Sequence, residues 1–388
     1  MNPTCRSALP SERWFPKESP VPLKNTTTPR VFIAATRQND GKTTASLGLL
    51  AALQSVYPRI GYIKPVGQRF VEIEEQKIDE DTVLMDRVYQ LNCPLVDMSP
   101  IAVEPDFTRK YLESSNYDVL VRRIQNAFDR VAWEKDFVLC EGSGHAGVGS
   151  VFDLSNARVA KLLRAKVIIV TQGGIGKPID EVSLNQALFE KEGVEVIGVI
   201  LNKVLGKKID SITEFARRGL KRKELDLLGV VPHQRILSQP TMDLIREELN
   251  AEALNQSDQF HNPVEEVLIG AMGVQNALHL FKKGVLIITP GDREDIILAV
   301  ATTLSGEDNS GLAGMVLTRN LKPSQVSQKV ISKMPFPVLS VADDSYYVAS
   351  IVHDLNVKTR PDDTQKIALI RDLIAQHVDV NKILKTLQ

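Results

Sequence analysis

From residue 30 onward two patterns alternate: short runs that are apolar at nearly every position, and longer stretches whose apolar residues recur every three or four. A run that is apolar on both alternating faces marks a strand covered on each side, the condition of a parallel sheet wrapped by helices. Such strands are predicted at 31–35 and near 59–65, 136–141, 165–171, 195–202 and 226–231, with KVIIVTQ and VIGVILN the clearest. Helices fill the gaps. Thr43 to Leu53 carries Ala45, Leu49 and Ala52 at helical spacing, and Ser115-Asn116 is placed to cap a helix reaching about Trp133. The rhythm restarts near Pro263, where VEEVLIGAM, GVLIITPG, GLAGMVLT and PFPVLSV alternate with helices near 274–282, 292–304 and 323–333. A last helix, Asp362 to Val378, sets Ile367, Ile370, Ile374 and Val378 on one face, as core or as a dimer seam. The fold class read from this pattern is α/β, a doubly wound parallel sheet with a second, smaller α/β domain.

The pattern also sets boundaries. Residues 1–29 hold Pro3, Pro10, Pro16, Pro20, Pro22 and Pro29 beside Ser and Thr, and read as a disordered tail. The first domain is expected over 30–235, a helix and linker over 236–262, and the second domain with the C-terminal helices over 263–388.

The first strand, VFIAA, runs directly into TRQNDGKTT. A strand, a tight loop and a helix opening on Gly-Lys-Thr let backbone N–H groups wrap a β-phosphate, with Lys42 on the β/γ oxygens and the Thr43 hydroxyl left for Mg²⁺. Asp40, Gly41 and Thr44 complete the predicted nucleotide contacts. Thr36 stands where the strict phosphate-loop pattern has its first glycine, and a lone Gly-Lys-Thr also opens ordinary helices; the strand before it and the helix after it favour the phosphate loop.

Composition narrows the classes. The formal net charge of −1 gives no basic face for nucleic acid, and the one basic run, Arg217, Arg218, Lys221, Arg222 and Lys223, lacks interleaved aromatic residues and reads as a solvated helix end. No stretch approaches the ~20 apolar residues of a membrane helix, and the first residues lack a secretion signal, so the cytoplasm is the expected location. Cys5, Cys93 and Cys140 have no metal-ligand spacing, which argues against zinc and disulfides.

Together with IGYIKPVGQ (60–68), DEDTVLMDR (79–87), FVLCEGSG (137–144) and VIGVILNKV (196–204), the loop resembles the dethiobiotin synthetase family, the ATP-binding part of the cobyrinic acid diamide synthases and the N-terminal region of some phosphate acetyltransferases. The resemblance covers 30–235, with Ala35-Thr36 in place of Gly-Thr. Over 240–360, GVLIITPGDREDIILA with IGAM upstream resembles the DRTGG domain of certain phosphate acetyltransferases. Asp292 is placed to cap the next helix and Asp295 lies in its first turn, which explains both acids and leaves Arg293 unexplained.

The resemblance implies ATP and Mg²⁺ as cofactors, with Asp81 and Glu141 joining Thr43 as metal ligands, Lys64 beside the phosphates and the reacting carboxylate, and Asn202 on the adenine edge. Each has an ordinary alternative: a charged helix start for Asp81, a solvated strand end for Glu141, a turn for Asn202. Lys42 and Lys64 are the expected catalytic residues. Gly173, Gly174 and Gly176 read as a strand-to-helix turn, and His145 as a loop residue that can approach a substrate. After Lys64-Pro65 the chain reads Val-Gly-Gln, as in the phosphate acetyltransferases, where dethiobiotin synthetases have a small hydroxyl residue and Gly. No cysteine follows Cys140 to serve a glutaminase and about thirty residues follow the DRTGG-like part, so neither a glutamine amidotransferase nor a complete phosphate acetyltransferase is expected of these residues. The expected function is a Mg-ATP-binding, ATPase-like protein passing the γ-phosphoryl group to a carboxylate or carbamate. The alternative is a nucleotide-sensing module. Expected partners are a small carboxylate substrate or regulatory ligand and a second copy of the chain, with no nucleic acid and no membrane.

Overall fold

A computed structural model describes residues 23–303, 311–355 and 357–387. The described residues form two compact units, one from residues 23–233 with 359–387 and one from within residues 234–358. Both are α/β, as the apolar pattern predicts.

The first unit is built on six parallel strands: β1 (Arg30–Ala35), β2 (Ile60–Ile63), β3 (Phe137–Glu141), β4 (Lys166–Gln172), β5 (Val196–Val204) and β6 (Leu227–Pro232). Their order across the sheet is β6-β5-β4-β1-β3-β2. Every residue of β1, β2 and β3 is buried, as their uninterrupted apolar runs require. The chain moves from β1 to one edge, returns through β3 and then continues on the other side of β1. Strand order therefore reverses at β1, where a crevice opens beyond the carboxyl ends of an α/β sheet. Three helices matter for the site: α1 (Lys42–Gln54), α2 (Glu80–Tyr89) and α3 (Tyr117–Val131). α3 starts where expected, although the Asn116 side chain makes no capping hydrogen bond. A short hairpin, Phe70–Ile73 with Gln76–Asp79, precedes α2 and has no counterpart in the sequence reading.

Two boundaries need correction. The expected tail ends earlier than residue 29: Leu23 is buried, and the Asn25 backbone N–H donates to Asp129 Oδ1 at 2.7 Å. Residues 1–22, where the rest of that expectation falls, lie outside the described residues. The C-terminal helices belong to the first unit and not to the second. Their apolar stripe is core: Ile370 and Ile374 pack on α1 so closely that a Cβ at Gly48 would fall 2.2 Å from Ile374 Cγ1.

The second unit has a five-stranded sheet ordered β7-β11-β10-β9-β8, from β7 (Glu252–Ala253), β8 (Glu266–Ile269), β9 (Val285–Pro290), β10 (Gly314–Thr318) and β11 (Val338–Ser340). Only β7 runs antiparallel. The segment expected to be a helix and linker does supply a helix, Met242–Glu248, whose Met242 and Ile245 are core residues on one face of this sheet, and where the linker is expected it also supplies β7. Alternation along β9 divides the cores: Val285 and Ile287 face one, Leu286 and Ile288 the other.

After β9, the helix Glu294–Thr303 begins with Glu294 and Asp295 in its first turn. Arg293 now has a reason, since its guanidinium donates to the Gly270 and Met272 carbonyls at 2.8 and 3.0 Å and pairs with Asp295 at 2.8 Å. Among the described residues no helix is long and apolar enough to cross a membrane.

Candidate functional site

The loop after β1 is held from several directions. Thr36 N–H donates to the Val170 carbonyl of β4 at 3.0 Å, and its hydroxyl lies 2.8 Å from that of Thr171. The same hydroxyl donates to Asp40 Oδ2 at 2.7 Å, and the Arg37 N–H joins it at 2.8 Å. Thr36, in the place of the expected first glycine, thus fastens the loop to the sheet and to itself. Gly41 adopts φ 98°, a left-handed conformation that glycine tolerates best, and opens α1 without a side-chain cap. Asp40 Oδ1 is buried and has no hydrogen-bond partner. Burial raises the Asp40 pKa against those hydrogen bonds and the Lys42 charge.

Glu141 ends β3, level with Ile33 of β1. Its Oε1 accepts from the Thr43 hydroxyl at 2.9 Å and its Oε2 from the Tyr62 hydroxyl at 3.1 Å. Burial, and then the negative charge of Asp81, push the Glu141 pKa up. The Tyr62 phenol stays protonated because burial, then Glu141, raise its pKa well above the usual value.

Lys64 follows β2 and is buried between Asp79 and Asp81. Its ammonium lies 2.9 Å from Asp79 Oδ1 and also pairs with Asp81 Oδ2. Burial opposes that charge, but Asp81, Asp79 and Glu141 outweigh it and hold the Lys64 pKa well above the lysine range. Asp79 caps α2 by accepting the Asp81 N–H at 2.9 Å. Burial of Lys42 lowers its pKa, with Glu141 the chief opposing charge. Thr44 follows in the first turn of α1.

The loop after Glu141 is fixed by two buried asparagines. Asn156 Oδ1 accepts from Ser143 N–H at 3.0 Å while its Nδ2 donates to the Ser143 and His145 carbonyls, and Asn185 Oδ1 accepts from Ala146 N–H at 2.7 Å. His145 is exposed, and its Nδ1 accepts the Gly147 N–H at 3.2 Å. Gly174 and Gly176 lead from β4 into the helix Gly176–Glu192, as expected. Asn202, near the end of β5, donates from Nδ2 to the Asp40 carbonyl at 2.9 Å.

Lys42, Thr43, Lys64, Asp81 and Glu141, scattered over a hundred positions, therefore converge at the strand ends around β1. Sequence reasoning missed three participants. Asp79 was masked by its acidic neighbours, Tyr62 reads as one more core residue, and Lys203, whose Nζ donates to the Asn39 carbonyl of the loop at 2.7 Å, follows an asparagine that drew attention to itself.

A family model described as AAA domain matches residues 29–241. The chain belongs to the AAA domain family. A DRTGG domain model matches residues 244–355, so a phosphate-loop AAA domain precedes a DRTGG domain, the arrangement that the sequence resemblance implies. The phosphate acetyltransferase of Pseudomonas aeruginosa is 30% identical over 90% of this chain and 50% of its own length. That of Pseudomonas putida is 31% identical over the same shares. The chain spans about half the length of these curated relatives. Among solved structures, the septum site-determining protein MinD complexed with Mg-ADP from Pyrococcus horikoshii aligns with a TM-score of 0.34 and 16% identity, covering 54% of this chain and 84% of that one.

Proposed function

We propose that the AAA domain binds ATP with Mg²⁺ and passes the γ-phosphoryl group to a carboxylate or carbamate acceptor. The observation that carries this reading is the 2.9 Å hydrogen bond between Thr43 and Glu141, a first-turn hydroxyl and a strand-end carboxylate brought face to face. Both are hard oxygen donors of the kind Mg²⁺ takes. Around them Asp79, Asp81 and Glu141 outnumber Lys42 and Lys64, an excess of buried negative charge that fits a divalent cation. An ion held here would take few protein ligands and keep waters and phosphate oxygens.

Bound Mg-ATP supplies the phosphoryl group and its activation. On this reading the chain's own residues position and neutralise. The uncapped N–H groups of α1 and the Lys42 ammonium receive phosphate oxygens. Thr43, Glu141 and Asp81 hold the ion. Lys64, kept protonated by its acids, would place positive charge beside the oxygens on which negative charge gathers in the transition state.

Calorimetry with Mg-ATP tests the first step. Lys42→Ala is expected to weaken binding roughly ten- to a hundredfold, the worth of one charge-assisted phosphate contact. Glu141→Gln is expected to keep ATP and lose Mg²⁺-dependent hydrolysis. Unchanged affinity in the lysine variant rules the site out.

A regulatory reading has support from the match, over 90% of the chain, to relatives named phosphate acetyltransferases that carry further sequence. There ATP occupancy shifts the assembly state and turnover is slow. Hydrolysis with and without a pool of small carboxylates, alongside mass by light scattering, separates the two. Stimulation at constant mass favours transfer, and a mass change without stimulation favours sensing.

A further inference from the structure

We infer that Asn202 and Lys203, at the end of β5, form a clamp that holds the phosphate loop in its binding shape before any nucleotide arrives. This rests on the loop being a phosphate site, and it gives Asn202 a role on the phosphates instead of the base.

The two residues grip consecutive carbonyls. Lys203 Nζ donates to the Asn39 carbonyl at 2.7 Å, and Asn202 Nδ2 to the Asp40 carbonyl at 2.9 Å. In a planar trans peptide the C=O and the following N–H point in opposite directions. With both carbonyls drawn to β5, the N–H groups of Asp40 and Gly41 turn away from it and into the loop, where a phosphate would be met.

The clamp is closely built. Asn202 Oδ1 accepts the Lys203 N–H at 2.9 Å, so both ends of its amide are engaged, and its carbonyl accepts the Gly173 N–H at 2.7 Å. Its Nδ2 lies against Gly41, where a Cβ would fall 2.0 Å away. Gly41 is thus required twice, for φ 98° and for room. Lys203 itself takes φ 57° and Asn39 φ 67°, left-handed conformations that lysine seldom adopts. Pre-organisation of this kind removes an ordering cost from binding.

A clamp on the phosphates and a contact to the base differ in one readout. Inorganic tripolyphosphate has phosphates and no base. Calorimetry with Mg²⁺ plus either ATP or tripolyphosphate is run on the full chain and on Asn202→Ala, Lys203→Met and Lys203→Arg, after thermal melts have checked folding. Asn202→Ala is expected to weaken both ligands by the same factor, about tenfold for one buried hydrogen bond. Lys203→Met, at the solvent edge, should weaken both less but again equally, and Lys203→Arg, which retains a donor, should restore them. Loss of ATP with tripolyphosphate spared makes Asn202 a base contact and overturns the clamp. Wild-type affinities in both Asn202→Ala and Lys203→Met also overturn it. A wild-type chain that binds neither ligand removes the phosphate-site reading itself, a failure distinguishable from the other two. Because Lys203 stands at the surface, its variant keeps the test informative if Asn202→Ala does not fold.

Discussion

Lys64 Nζ lies 2.9 Å from Asp79 Oδ1, the oxygen that also accepts the Asp81 N–H and so starts α2. One carboxylate both caps a helix and balances a buried cation. The second acid, Asp81, shares the same ammonium, so each is only partly compensated. Burial, with Asp81 adding its charge, accordingly raises the Asp79 pKa.

Replacing Lys64 by Met leaves buried acids without their cation and is expected to lower unfolding free energy by about 3–5 kcal/mol near neutral pH. The folded-state pKa of Lys64 lies above its unfolded value, so its stabilisation is complete below the ordinary lysine pKa and is lost as pH rises toward the folded one. Urea denaturation between pH 7 and 11 should show the gap between wild type and variant constant up to the ordinary lysine pKa, only starting to narrow above it, and still open at pH 11. A gap below 1 kcal/mol at pH 7 would contradict the pairing.

Asp40→Asn is expected to strengthen both folding and nucleotide binding. The two donors, Thr36 and Arg37, use Oδ2 alone, so an asparagine oxygen can keep them while the amide replaces the unpartnered Oδ1. It also removes a negative charge next to the phosphate cradle, worth about 1.4 kcal/mol if affinity rises tenfold. The sign with pH follows from the raised pKa: between the ordinary carboxylate value and the folded one, wild-type stability falls as pH rises. The advantage of the asparagine should therefore vanish at low pH. Weaker Mg-ATP binding by Asp40→Asn at pH 7 would count against this.

Asn156→Ala should loosen the loop after Glu141 without touching the phosphate loop. Three backbone groups, Ser143 N–H and the Ser143 and His145 carbonyls, lose their partner at once, at about 1–3 kcal/mol for each buried group left unmade. Hydrogen exchange should quicken across 143–149 and stay unchanged at 36–41.

Much of this was legible in the chain. Uninterrupted apolar runs such as KVIIVTQ can be satisfied only by burial on both faces, and they marked the strands of both sheets except β7, whose two exposed residues form no apolar run. Lys42 and Glu141 could be picked out because a glycine turn and a strand end mark the carboxyl edge of the sheet, although Glu141 itself is buried there. The pairing of Lys64 with Asp79 was not, since three neighbouring acids offer equivalent charge and only the turn into α2 selects among them. The home of the last helix was hidden for another reason: an amphipathic stripe says that a helix packs, and never on what.

Gly48→Ala tests that packing by its sign. In an exposed helix the change would stabilise by roughly 1 kcal/mol. Here a Cβ would fall 2.2 Å from Ile374 Cγ1 and 3.1 Å from the Ile370 carbonyl, so overpacking at about 1–3 kcal/mol should prevail. A raised melting temperature would show that the helix can move aside.

That contact also fixes an order of events during synthesis. Ile374 emerges from the ribosome more than three hundred positions after Gly48, a wait of roughly 15–60 seconds at ordinary elongation rates. Throughout that interval the whole DRTGG unit is made while the back of the nucleotide-loop helix stands uncovered. The first helix of the AAA domain to leave the tunnel is thus among the last to be covered, and a nascent chain stalled within residues 234–358 would present to chaperones the apolar surface that the finished protein hides.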